Sequence, residues 1–141
     1  MSYSKSKGFT MIELLVVIAI IGILAVIVMS AIAGSKGKAN DAKVKSQLAS
    51  LVRTAGIYGA ANNNAFGIAS DCSTGMFADV SSDTVNFTNI NNYPVGTTLE
   101  CFSTDTAWAV SASLSTGQYW CVDSADKVTQ QATAITTSNC L

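Results

Sequence analysis

Apolar and polar positions are unevenly distributed along this chain. From Leu14 to Met29 every residue is apolar or Gly, and beyond Ser30 the run continues through Ala31, Ile32 and Ala33. Counted from Phe9, this is about 25 residues of apolar helix, enough to cross a hydrocarbon layer of about 30 Å. Glu13 interrupts the run near one end. An ionised carboxylate deep in lipid costs about 3 kcal/mol, so an acid here needs a compensating partner. After Gly34 and Gly37 the chain turns polar without losing its helical period. Val44, Leu48, Leu51, Val52 and Ala55 share one face, with Lys43, Lys45, Gln47 and Arg53 off it. The spacing predicts a helix continuing to about Tyr58, with Asn62, Asn63 and Asn64 ending the signal. Unbroken from Phe9, such a helix extends about 75 Å, longer than a small domain requires, so its apolar half must pack against something outside its own chain.

Beyond the asparagines, a stretch rich in Gly, Ser, Asn and Asp runs to about Pro94 with scattered apolar residues and no sustained period. It reads as a long surface connection. Three short strands follow, over Thr97–Phe102, Ala107–Leu114 and Gln118–Asp123, the last two joined across Ser115, Thr116 and Gly117 as a hairpin. Alternation puts Leu99, Cys101, Trp108, Val110, Ala112, Leu114, Trp120 and Val122 on one face and Glu100, Ala109, Ser111, Ser113, Tyr119 and Asp123 on the other. The apolar face awaits the stripe of the long helix. The fold class expected is α+β: a long N-terminal helix with its apolar half protruding and its amphipathic half packed on a small antiparallel sheet.

Composition narrows the function. Apolar residues make up 49% and charged residues 12%, against a usual charged share of about 25%. The formal charge of −1 and the absence of His argue against a strongly basic nucleic-acid binder and remove the commonest general base and metal ligand. Cys72, Cys101, Cys121 and Cys140 all lie beyond the apolar run and form no CxxC pair, so zinc spacing is missing. Two disulfides are the better reading, and they imply an oxidising, extracytoplasmic compartment. Strand faces assign the partners. If the strand ending at Phe102 turns back through Ser103 to Thr106, Cys101 lies opposite Trp108 on the helix side, where the segment leaving the helix can bring Cys72. Cys121 lies opposite Ser111 on the outer face, where the C-terminal tail can present Cys140. Side chains on opposite faces cannot bring their Cβ atoms to about 4 Å, so the expected bonds are Cys72 to Cys101 and Cys121 to Cys140. Asp71, Asp79, Asp83 and Asp105 are too dispersed for a calcium loop. No catalytic constellation, metal or cofactor is expected.

Residues Gly8 to Glu13 read Gly-Phe-Thr-Met-Ile-Glu, preceded by Lys5 and Lys7 and followed directly by the apolar run. This resembles the prepilin signature of type IV pilins and of the pseudopilins of type II secretion. The resemblance is dense over residues 5–33 and thins beyond, where Lys-Ala-Asn-Asp-Ala-Lys and Tyr-Trp-Cys-Val-Asp-Ser are weaker echoes. It implies a leader over residues 1–8, cut after Gly8 by a prepilin peptidase, and methylation of the new N-terminus at Phe9. The segments expected beyond it are an apolar membrane and fibre-core helix over 9–33, an amphipathic helix over 34–61 and a loop-rich antiparallel β domain over 62–141. Glu13 falls at the family's assembly glutamate. In a core of bundled apolar helices its carboxylate can pair with the amino terminus of Phe9 on a neighbouring copy, so the charge is compensated only at the correct stagger. A lone acid here is also favoured by the helix macrodipole. Many pilins carry a proline where this chain has Ser30, whereas Gly22 matches a frequent family glycine. Gly34 and Gly37 can loosen the helix instead, each costing about 1 kcal/mol relative to Ala.

The expected function is a structural subunit of an extracellular pilus-like fibre, not an enzyme. The precursor sits in the cytoplasmic membrane, its N-terminus inside and its C-terminal domain outside. Its partners are copies of itself in a helical fibre, the prepilin peptidase and an inner-membrane assembly platform. A pseudopilin of a type II secretion or DNA-uptake system is the alternative, and a soluble secreted binding domain cleaved after Ala33 is the rival from another class. Lys36, Lys38, Lys43 and Lys45 form a basic cluster for which headgroup contact and solvation outweigh nucleic-acid binding. Their charge opposes a simple positive-inside count, which the cysteines and the leader overrule. Asn86-Phe87-Thr88 is a glycosylation sequon in form only.

Overall fold

The computed structural model describes residues 8–141. Helix α1 spans Met11–Ala61 without a break, through Gly22, Ser30, Gly34 and Gly37. Serines inside it satisfy their hydroxyls locally: Ser30 Oγ donates to the Ile27 carbonyl at 2.9 Å and Ser35 Oγ to that of Ala31 at 3.1 Å. Its end is built by asparagine. Asn63 (φ 56°) and Asn64 (φ 60°) adopt the left-handed conformation, and the Asn64 N–H donates to the Gly59 carbonyl at 2.7 Å. Asn tolerates this backbone because its short amide side chain bonds locally, and the bond satisfies a carbonyl otherwise orphaned at the helix end.

Two compact units meet between Lys36 and Gly37. In the first, every side chain described from Phe9 to Ile32 is exposed, and the helix is long and apolar enough to cross a membrane. The second unit has one main core. Val44, Leu48, Leu51 and Ala55 from the amphipathic part of α1 join Phe77, Trp108, Val110, Ala112 and Val122. Burial of this stripe holds that part of the helix in place, since propensity alone stabilises helices weakly.

Four antiparallel strands, in the order β1-β2-β3-β4, form the sheet: β1 Leu99–Ser103, β2 Trp108–Ser113, β3 Tyr119–Asp123 and β4 Val128–Gln131. The β2–β3 register pairs Ser111 with Cys121, and Gly117 takes φ 79° in the turn between them. The β1–β2 register pairs Cys101 with Val110, not with Trp108 as the sequence led us to expect. A two-residue slip keeps each side chain on its face, so Cys101 remains on the helix side. Cys72 is bonded to Cys101 and Cys121 to Cys140.

Two segments differ from expectation. The stretch read as a surface connection contributes Met76 and Phe77, both fully buried, to the core. It carries 3₁₀ turns at Gly75–Ala78 and Ile90–Asn92 and the short helix α2, Thr84–Thr88. Side-chain hydroxyls replace periodicity as the organising force. Thr84 Oγ1 donates to the Met76 carbonyl, and Thr88 Oγ1 to that of Phe77 at 2.7 Å. Strand β4 is the second difference. Val-Thr-Gln-Gln has no apolar alternation because it is an edge strand with only Gln131 buried. The far face of the sheet is also covered, since Ile135 and Cys140 pack on Ala109 and Cys121.

Candidate functional site

The junction signalled by the sequence lies at the start of α1. Gly8 and Phe9 precede the helix in non-helical backbone and are exposed; an added Cβ at Gly8 would meet nothing within 4 Å. Lys5 and Lys7 lie outside the described residues.

Thr10 and Glu13 form a reciprocal cap. The Thr10 N–H and hydroxyl both donate to Glu13 Oε2 at 2.8 Å, and the Glu13 N–H donates back to Thr10 Oγ1 at 3.3 Å. This is the Thr-x-x-Glu capping box, which satisfies two orphan donors at a helix start. Sequence reading assigned Glu13 without Thr10, although Thr-x-x-Glu ahead of an apolar run is itself a readable signal. Glu13 is exposed and its carboxylate serves its own helix. The cap therefore supplies the local compensation that an acid at the edge of an apolar run needs.

Within the second unit, Asp41 ties the helix to the β2–β3 turn: Ser115 N–H donates to Asp41 Oδ1 at 2.7 Å and Ser115 Oγ to Oδ2 at 2.9 Å. Gly37 permits this approach, because a Cβ there would stand 3.0 Å from Ser115 Oγ. Lys38 and Lys43 are exposed and Lys45 is half-buried, its ammonium 4.2 Å from the Trp120 ring centroid. Asn86 is exposed, but its amide donates to Asp83 Oδ1, and the Thr88 of the sequon is buried with its hydroxyl engaged.

A groove of about 760 Å³ lies between the Ser70–Ser73 loop, α2 and β1, with the Cys72–Cys101 bond in its lining. Asp71 and Glu100 are the titratable groups along it. The Ser73 hydroxyl and amide hold the Asp71 carboxyl below its ordinary range, and Ser82 does the same for Asp79. These carboxylates are committed to their loops. Burial raises the Tyr93 phenol, whose hydroxyl donates to the Phe87 carbonyl at 2.6 Å. Among the described residues, no group of three or more His, Cys, Asp or Glu side chains is placed to hold a metal.

Residues 3–29 match the family described as the prokaryotic N-terminal methylation motif. The chain is similar to the Type IV wide pilus major component PilA4 of Thermus thermophilus, 42% identical over 60 residues, which are 43% of this chain and 46% of that protein. It is similar to the Type II secretion system core protein G of Escherichia coli, 41% identical over 54 residues, or 38% of this chain and 37% of that protein. The chain thus spans less than half the length of these two relatives. With the Type II secretion system core protein G of Klebsiella pneumoniae the likeness is 32% over 119 residues and covers 84% of this chain and 81% of that protein. No solved structure matches the chain.

Proposed function

The chain belongs to the type IV pilin and pseudopilin family, and from that membership we propose that it is a structural, non-catalytic subunit of an extracellular pilus-like fibre. A prepilin peptidase cuts between Gly8 and Phe9 and the new Phe9 amine is methylated. The observation that carries this reading is the Gly8-to-Glu13 junction opening directly into an apolar helical stretch that is exposed at every described position to Ile32. Such a surface requires lipid before assembly and other helices after it.

Glu13 then has two successive roles. In the membrane-stored precursor it caps its own helix through Thr10. In the fibre its carboxylate pairs with the Phe9 ammonium of a neighbouring copy, and the low-dielectric core makes any other stagger costly. The precursor lies in the cytoplasmic membrane, N-terminus inside and disulfide-bonded unit outside, and an inner-membrane platform extracts it into the fibre.

Fibres sheared from the native host test this: the chain should be a principal protein of the sheared fraction, beginning at Phe9. Its absence from every surface or periplasmic fibre would contradict the proposal. One observation favours a second reading, a pseudopilin of a secretion system, because the alignment reaching across 84% of the chain is with a secretion component. Under it, deletion of the chain blocks export of folded proteins without removing surface fibres.

A further inference from the structure

Charge is segregated along this chain. Every Lys and Arg except Lys127 precedes Ala61, and every Asp and Glu except Glu13 and Asp41 follows it. Part of this order reappears at opposite ends of the second unit. Lys38 and Lys43, exposed, flank Asp41, which is bonded to Ser115 in the β2–β3 turn. The β1–β2 and β3–β4 turns lie at the other end of the sheet. There the Phe66 N–H, just past the helix end, donates to the Asp105 carbonyl at 3.0 Å, and Ser124 N–H donates to the Trp108 carbonyl at 2.9 Å beside Asp126. Asp105 and Asp126 are both exposed, as is Lys127 beside Asp126, so these turns carry two exposed acids against one base.

From Asp41 to Ala61 the helix rises about 30 Å. Screening at physiological salt acts over about 8 Å, so the two ends do not neutralise each other within one subunit. Two basic ends brought together repel, as do two acidic ends, whereas a basic end against an acidic end attracts. A head-to-tail contact of this kind is heterologous and propagates as an open filament instead of closing into a dimer.

Resting on the fibre reading above, we propose that the Lys38–Lys43 end of one copy docks on the Asp105–Asp126 end of the next, so that charge on the folded unit sets fibre polarity together with the apolar helix.

The test is a charge swap in the native host, with sheared fibre measured relative to the membrane pool. Lys38→Glu with Lys43→Glu should lower fibre yield at least about tenfold, as should Asp105→Lys with Asp126→Lys, because each sets like charges face to face. All four substitutions together should restore most of the yield. Non-reducing gels should show both disulfides intact in every variant, excluding misfolding as the cause. If wild-type cells form fibres containing the chain and the separate reversals assemble equally well, the docking is wrong and the fibre reading stands. If the four-fold variant assembles no better than either pair, the docking is also wrong. If wild-type cells form no such fibre, both fall. Lysine reversal that spares fibres but abolishes their retention of DNA would assign this end to nucleic acid and overturn the proposal.

Discussion

Glu13 accepts two hydrogen bonds from Thr10, so a substitution that removes its charge can also remove a helix cap. Glutamine separates the two effects, because it keeps the capping-box geometry without the charge. Glu13→Gln should leave membrane insertion and cleavage intact yet reduce assembled fibre as severely as Glu13→Ala. Thr10→Ala, which loses the cap at a cost of about 1 kcal/mol, should assemble nearly as well as wild type. Wild-type fibre yield from Glu13→Gln in a strain supplying no other subunit would show that the residue acts only as a cap. Asp71 and Asp79 make a pH-dependent contribution of definite sign. Their folded carboxyls sit below the ordinary value, so their stabilisation is fully present above the unfolded value of about 3.9 and is lost as pH falls through the folded one. The Ser73 and Ser82 amide resonances, which report these hydrogen bonds, should titrate with midpoints below about 3.9. Midpoints at or above that value would contradict the geometry.

The elements differ in how far the sequence revealed them, and the reason is physical. Val44, Leu48, Leu51 and Ala55 announce α1 because a buried stripe must recur at the helical period. The alternating faces of β2 and β3 were equally legible, down to Ser111 opposite Cys121. Met76 and Phe77 were not, because their segment is held by Thr84 and Thr88 hydroxyls reaching backbone carbonyls and has no period to read. Strand β4 escaped because its edge position leaves Val128 and Gln130 in solvent. The slip between Cys101 and Trp108 came from the length of the turn, which alternation does not encode. At the candidate site, the sequence singles out the Gly8-to-Glu13 stretch, and Thr-x-x-Glu is legible there as a capping box once the helix start is placed at Met11. Two substitutions test the packing of α1. Leu48→Ala should cost about 2–5 kcal/mol as a fully buried large-to-small change. Asp41→Ala, which removes both bonds to exposed Ser115, should cost only about 1 kcal/mol. Denaturant melts of the detergent-solubilised chain measure both, and an Asp41→Ala effect equal to that of Leu48→Ala would show that the turn anchor outweighs the core.

At the scale of the whole molecule, the two disulfides clamp opposite faces of one small sheet. Cys72–Cys101 joins the irregular segment to the helix side, and Cys121–Cys140 fastens the tail across the other. Sequence separations of 29 and 19 correspond to about 3 kcal/mol each by loop closure. Replacing either pair by Ser should therefore lower the unfolding free energy from denaturant melts by a similar amount, and replacing both should prevent stable folding of the exposed unit. Such clamping suits a subunit that works outside the cell, where reduced thiols are not maintained. The apolar helix cannot remain as exposed as it stands, and the fate of its N-terminus determines what covers it. Intact mass with N-terminal sequencing of the chain purified from its native host tests this most directly. The account predicts a chain starting at N-methylated Phe9 and retaining residues 9–141; a chain starting at Gly34 would contradict it.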